Sequence, residues 1–184
     1  KNKTVYVPLA VDILHSGHLN IIAKAKKYGK VVIGLLSDSA ISEYKNIPSL
    51  TYEERYKIVK SLKNVNKIIK QKTWDYSSVI NSLKPDYFIH GDDWKKGVQK
   101  NTRLKVIKLL KKNKGKLIEI PYTKNISSST IKSKLVNLLT PTSRVSILKR
   151  LLDTKKLVRV LESHSPLSGL IAENIKFEKK NSSE

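Results

Sequence analysis

Two histidines flank a glycine in "LHSGHLN" (residues 14–20), directly after an apolar run, in a chain that has four histidines in all. Such a pair can bind zinc, act as general acid and base, or grip a phosphate. Gly17 leaves room for a close approach of backbone or phosphate, and His18 falls at the first turn of a helix whose unpaired N–H groups and dipole favour an anion. Two imidazoles there can donate hydrogen bonds to a phosphate that gains charge during displacement. A zinc site needs a third ligand. His90 and nearby carboxylates are available, but no usual metal-ligand spacing appears and the chain has no cysteine, so no metal ligand is assigned. The plain alternative is a loop with two incidental histidines.

Two other clusters have chemistry of their own. In "HGDDW" (90–94), Asp92 and Asp93 can accept from ribose hydroxyls or a base amino group, and Trp94 offers an aromatic platform. Otherwise it is an acidic loop with a half-buried tryptophan. In "YTKNISSST" (122–130), Ser127 can cap a helix while Ser128, Ser129, Thr130 and the backbone amides hold β- and γ-phosphates. Otherwise it is a serine-rich helix cap.

The elements between these clusters decide whether they meet. Strands are expected at 4–10, 31–37, 66–71, 86–90 and 116–121, the second a near-continuous apolar run that suits a strand covered on both faces. Helices are expected after "HSGH" (with Leu19, Ile22 and Ala23 at helical spacing), over 51–65, 76–85, 101–115 and 127–139; Thr51 and Glu54 form a capping box. Alternating strands and helices predict an α/β fold, a doubly wound, five-stranded parallel sheet of Rossmann-like type. Ligands bind such sheets outside the carboxyl ends of the strands, at the switch point of strand order. With the order 3-2-1-4-5, the histidines would face Asp92, Asp93 and Trp94 across that crevice, and the three clusters would share one rim.

Composition narrows the partners. The formal charge is +22, but it is nearly all lysine spread along every segment, with five arginines. That pattern suits solvated faces that draw in nucleotides, whereas base readers cluster arginine with aromatics, so no nucleic-acid partner is expected. No apolar run reaches membrane-spanning length, and the opening breaks at Pro8 and Asp12, so a cytoplasmic protein without a membrane partner is expected.

Taken together, the clusters resemble the cytidylyltransferases of the H-x-G-H nucleotidyltransferase superfamily, over roughly residues 3–138. "VDILHSGHLNIIAKAK" resembles the first family motif, with Asp12, His15 and His18 in place, and "LTYEERYKIVKSLKNVNKII" resembles the stretch after the family's loop. The resemblance implies that Arg55 binds triphosphate and that Lys45, in "SEYKNIP", reaches the phosphates from a loop over 39–48 that orders on binding. It also implies nucleotide contacts at Leu9, Ala10, Asp12, Gly17, Asp92, Asp93, Trp94, Ile126, Ser127, Ser128, Ser129 and Thr130, with His15, His18, Lys45 and Arg55 catalytic. The third motif departs from the family's R-T-E-G-I-S-T: Tyr122 stands for the arginine and Asn125 for the glycine, with Lys124 a substitute charge. The implied partners are CTP with Mg2+ and a second copy of the chain.

Residues 141–178 are different again and resemble the opening of phosphoenolpyruvate mutase, a barrel enzyme that makes carbon–phosphorus bonds. The expected organisation is a cytidylyltransferase domain over 1–139, then over 140–184 a linker and the helix-strand start of a mutase-like barrel into which the chain continues. The implied reaction is transfer of CMP from CTP to a small phosphonate, such as 2-aminoethylphosphonate or a hydroxyalkylphosphonate, with release of pyrophosphate. Alternative acceptors are the phosphate esters glycerol 3-phosphate, phosphocholine and phosphoethanolamine. Adenylyl transfer and a non-catalytic nucleotide sensor are the other readings.

Overall fold

In a computed structural model, the structure describes residues 3–43, 46–95, 99–121, 123, 127, 128, 131, 132, 141–154 and 162–174. Five parallel strands, β1 (Thr4–Leu9), β2 (Lys30–Leu36), β3 (Lys67–Gln71), β4 (Tyr87–Gly91) and β5 (Lys116–Ile120), form one sheet in the order β3-β2-β1-β4-β5. Alternation along β1 divides the core. Val5, Val7 and Leu9 face the side covered by α1 (Ser16–Lys26) and α3 (Tyr52–Lys60), where Ile21, Ile22, Ala25 and Val59 are buried. Tyr6 faces the other side, with α2 (Asp38–Ser42), α4 (Ser77–Leu83) and α5 (Lys100–Lys112). Both faces are covered, as a parallel sheet requires.

The central strand opens the crevice. β1 pairs with β2 through Leu9↔Leu35 but with β4 only through Tyr6↔Phe88. Pro8 has no N–H to give a ladder, so the carboxyl ends of β1 and β4 part at the switch point. Below the crevice Tyr6 crosses to β3, donating from its hydroxyl to Gln71 Oε1 at 2.8 Å. It can cross only because the intervening residue is Gly34: a Cβ there would overlap the Tyr6 hydroxyl.

Several local expectations shift. The buried face of α1 is Ile21, Ile22 and Ala25, whereas Leu19 is 45% exposed, so the apolar phase read from Leu19 and Ala23 is corrected. Residues 39–42, expected in a loop, belong to α2, which Ser37 caps by accepting from the Ala40 N–H. A five-residue helix is too short to show a period. The capping box is present: Thr51 accepts from the Glu54 N–H and Glu54 reaches back to the Thr51 N–H at 2.7 Å. α4 ends at Lys84, left-handed at φ 45°, just before Pro85, and α5 stops at Lys112 rather than Gly115. Of the helix expected over 127–139, the described residues show one turn, the Ile131 N–H on the Ser127 carbonyl. In the C-terminal segment, α6 (Pro141–Thr154) and α7 (Pro166–Asn174) are helices; of the strand expected around "LVRVLESH" (157–164), residues 157–161 lie outside the described residues and 162–164 are not strand.

Candidate active site

The first histidine folds back to cap its own helix. His15 is extended (φ −145°, ψ 169°), and its Nδ1 accepts from the Gly17 N–H at 3.1 Å. In return the His15 N–H donates to Nδ1 of His18 at 3.4 Å, so two imidazoles make the reciprocal box usually built from Ser or Thr with Glu or Gln. The rings lie 3.9 Å apart between centroids, tilted by 35°. A Cβ on residue 17 would come within 2.9 Å of the His15 ring, which is why glycine separates the pair.

This box fixes the chemistry of both rings. A backbone N–H is always a donor, so each Nδ1 must keep its lone pair, which puts the proton on Nε2. The inferred tautomer makes each ring a neutral Nε2–H donor. Partial burial lowers the His15 pKa from its ordinary value and favours the same neutral form. The helix N-terminus adds its own preference for an anion.

The third cluster meets the first. Ser128 Oγ donates to the Ile13 carbonyl at 3.3 Å, Asn20 Nδ2 reaches Thr123 Oγ1 at 3.5 Å, and Thr123 Cβ is the next neighbour of the Gly17 position. Ser127 is half-buried beside them and opens the turn to Ile131. Lys45, Tyr122, Lys124, Asn125, Ile126, Ser129 and Thr130 lie outside the described residues.

Other motif residues point inward. Arg55 is fully buried, 0% exposed. Its Nη1 donates to the carbonyls of Ala10 (2.6 Å) and Leu36 (2.8 Å), its Nε to the Leu50 carbonyl (3.3 Å), and its Nη2 to Asp38 Oδ1 (2.6 Å). Arg55 therefore ties the carboxyl ends of β1 and β2 to the entry of α3. Asp12 is buried too, accepting from the Ser49 and Leu50 N–H groups and paired with Lys132. Leu9 is core, and Ala10 contributes its carbonyl to Arg55.

Trp94 is likewise a core residue. It is 1% exposed, lies against Phe88 and His90 (ring centroids 5.9 and 3.9 Å away), and donates from Nε1 to Glu119 Oε1 at 2.8 Å. The indole belongs to the 3-10 turn Asp92–Lys95 and packs that turn onto the core beside Phe88. The Arg103 guanidinium, with the indole N–H, holds Glu119 down to about 2. That turn presents Asp92, half-buried, and Asp93, exposed beside His90 with 3.7 Å between Oδ1 and Nδ1, on the β4 side of the crevice.

Sequence reasoning missed Asp38, Lys132, Glu119 and Arg150. The one local signal was Asp38, an acid in the first turn after Ser37 at the carboxyl end of β2. A separate cleft of about 330 Å³ opens toward β3, lined by Glu43, Thr73, Trp74, Asp75, Asn101, Thr102 and Lys105. Lys105 and Ser77 hold Asp75 at about 2 there. Among the described residues, no three His, Asp or Glu side chains converge as a metal site.

The family model described as cytidylyltransferase-like matches residues 11–134, from the residue before Asp12 to past Lys132. The chain belongs to the cytidylyltransferase-like family. It is 29% identical over 129 residues to a glycerol-3-phosphate cytidylyltransferase of Bacillus spizizenii, covering 69% of this chain and 92% of that protein. It is 27% identical over 134 residues to an ethanolamine-phosphate cytidylyltransferase of Dictyostelium discoideum, covering 72% of this chain but only 36% of that longer relative. An FAD synthase of Methanopyrus kandleri is 31% identical over 86 residues, 45% of this chain and 57% of that one. A solved lipopolysaccharide core biosynthesis protein from Thermoplasma volcanium superposes with a TM-score of 0.56 at 23% identity, over 68% of this chain and all of that one, a likeness of fold. The cytidylyltransferase-like match ends before α6 begins at Pro141, so Arg150 lies outside it.

Proposed function

We propose that this chain transfers a cytidylyl group from CTP to a small phosphonate and releases pyrophosphate. The observation that supports nucleotidyl transfer is the reciprocal histidine box, which aims two neutral N–H donors from one helix N-terminus. An oxygen of the phosphonate attacks the α-phosphorus of CTP, the bond from that phosphorus to the α–β bridging oxygen breaks, and pyrophosphate leaves with its electron pair. The attacking oxygen is already anionic near neutral pH, so no strong general base is required. The protein's task is to align two anions in line and stabilise charge as it moves toward the leaving group.

His15 and His18 donate from Nε2 to the α-phosphate and the bridging oxygen. Ser127 and Ser128, with the turn they open, hold the outer phosphates, and Lys45 adds charge there. Asp92 and Asp93 hold the nucleoside. Arg55 and Asp12 keep these parts in place. Magnesium enters with the triphosphate and water as its ligands. Asp12 and Asp38 are engaged by Lys132 and Arg55, and the other described carboxylates do not converge into a cage.

The phosphonate half rests on the mutase-like segment over 141–178. The relatives named for glycerol 3-phosphate and ethanolamine phosphate favour a second reading, a phosphate-ester acceptor. The FAD synthase relative, whose named product contains an adenine nucleotide, keeps adenylyl transfer as a third. Competition separates them. With CTP and equimolar 2-aminoethylphosphonate, phosphoethanolamine and glycerol 3-phosphate, the phosphonate is expected to be consumed at least tenfold faster, the scale of one unmatched polar contact. Faster consumption of either ester contradicts the phosphonate reading, and turnover of ATP over CTP contradicts the cytidylyl reading.

A further inference from the structure

Residues 47–50 lead into α3 beside Asp12, and their backbone is held by four side chains. Lys132 Nζ donates to the Ile47 carbonyl at 3.1 Å, Asp12 accepts from the Ser49 and Leu50 N–H groups, and Arg55 takes the Leu50 carbonyl. The fourth is Arg150, which arrives from α6, beyond the family-matched residues. Its Nη1 donates to the Ser49 carbonyl at 2.6 Å, and its Nη2 lies 4.0 Å from Asp38 Oδ2. Ser49 is thus gripped at both of its backbone polar groups, by Asp12 at the N–H and Arg150 at the carbonyl. Asp38 stands between two guanidiniums, with Arg55 on its other oxygen at 2.6 Å.

We infer that Arg150 is a positioning residue for the nucleotide rim: through the Ser49 carbonyl and Asp38 it keeps residues 47–50 in the arrangement that receives CTP. This makes the C-terminal segment part of the working site. The inference rests on the reading of the crevice as a CTP site. Without Arg150, ordering residues 47–50 falls to the nucleotide, so CTP affinity drops while the histidines, once loaded, work as before.

The test compares the full chain with its Arg150→Ala and Arg150→Lys variants. Arg150→Ala is expected to raise KM for CTP five- to tenfold with kcat within twofold. Amide exchange at Ser49 and Leu50 should quicken at least tenfold while the β2 amides of Ile33 and Leu35 keep their protection. Arg150→Lys, which restores one donor to the Ser49 carbonyl, should recover most of the affinity. Unchanged KM and exchange in Arg150→Ala overturn the inference. So does a joint fall of kcat, affinity and exchange protection across the sheet, the mark of a merely structural anchor. If the wild-type chain binds CTP but releases no pyrophosphate with any acceptor, the transfer reading fails by itself. The CTP dissociation constant from equilibrium dialysis then reads the same five- to tenfold shift and decides the role of Arg150.

Discussion

The histidine turn and the Arg55 hub sit at the same edge of the sheet and use their polar atoms in opposite ways. At the turn, the backbone takes one nitrogen of each ring, and the other nitrogen of each becomes a donor at a helix N-terminus. At the hub, a guanidinium with 0% exposure gives its Nε, Nη1 and Nη2 donors to three carbonyls from different parts of the chain and to one carboxylate. Motif membership therefore does not say which residues meet the ligand. On the proposed reading one set contacts it and the other fixes where the first set stands, with burial separating the two.

The largest effect expected from this contrast is on stability. Arg55→Ala leaves Asp38 Oδ1 and three carbonyls without their guanidinium donor, and removing one member of a buried pair typically costs about 3–5 kcal/mol. The chain should melt far lower in calorimetry, with CTP turnover lost in proportion to folded protein. An Arg55→Ala variant that melts like wild type yet fails to bind CTP would move Arg55 into the ligand-contacting set and break the comparison.

The next effect is on rate. His18→Ala removes one preorganised donor, which typically costs about 10²–10³ in turnover. Since its ring also accepts from the His15 N–H, a melting loss of about 1 kcal/mol is expected as well. His18→Asn, which can still accept from that N–H, should melt close to wild type and remain slow. Recovery of the rate by Asn would make the histidine structural and erase the difference between the regions.

What could be read from the chain follows the range of the interactions. The helix after "HSGH", the capping box at Thr51 and Glu54, and the stop before Pro85 are decided within a few residues, so the sequence displayed them. The crevice was legible because a parallel sheet with this order has one switch point. The burial of Trp94 was not: it depends on Glu119 from β5 and Phe88 from β4 arriving beneath the Asp92–Lys95 turn. The buried contacts of Arg55 were not legible for the same reason, since its partners are carbonyls at 10, 36 and 50, which have no sequence signature. The α1 face was read one step out of phase because the helix's central residues, Leu19 through Ala25, are apolar on more than one side.

The histidine box itself can be read directly by nitrogen NMR on chain labelled with 15N at its imidazoles, before and after CTP is added. For both His15 and His18, Nδ1 should be unprotonated and Nε2 protonated near neutral pH, and the His15 ring should titrate below the ordinary histidine value of 6.5. Saturating CTP should shift both Nε2–H signals and leave each Nδ1 on its backbone donor. A proton on Nδ1 of either ring, or Nε2–H signals that ignore bound CTP, would contradict a phosphate grip built from two neutral donors.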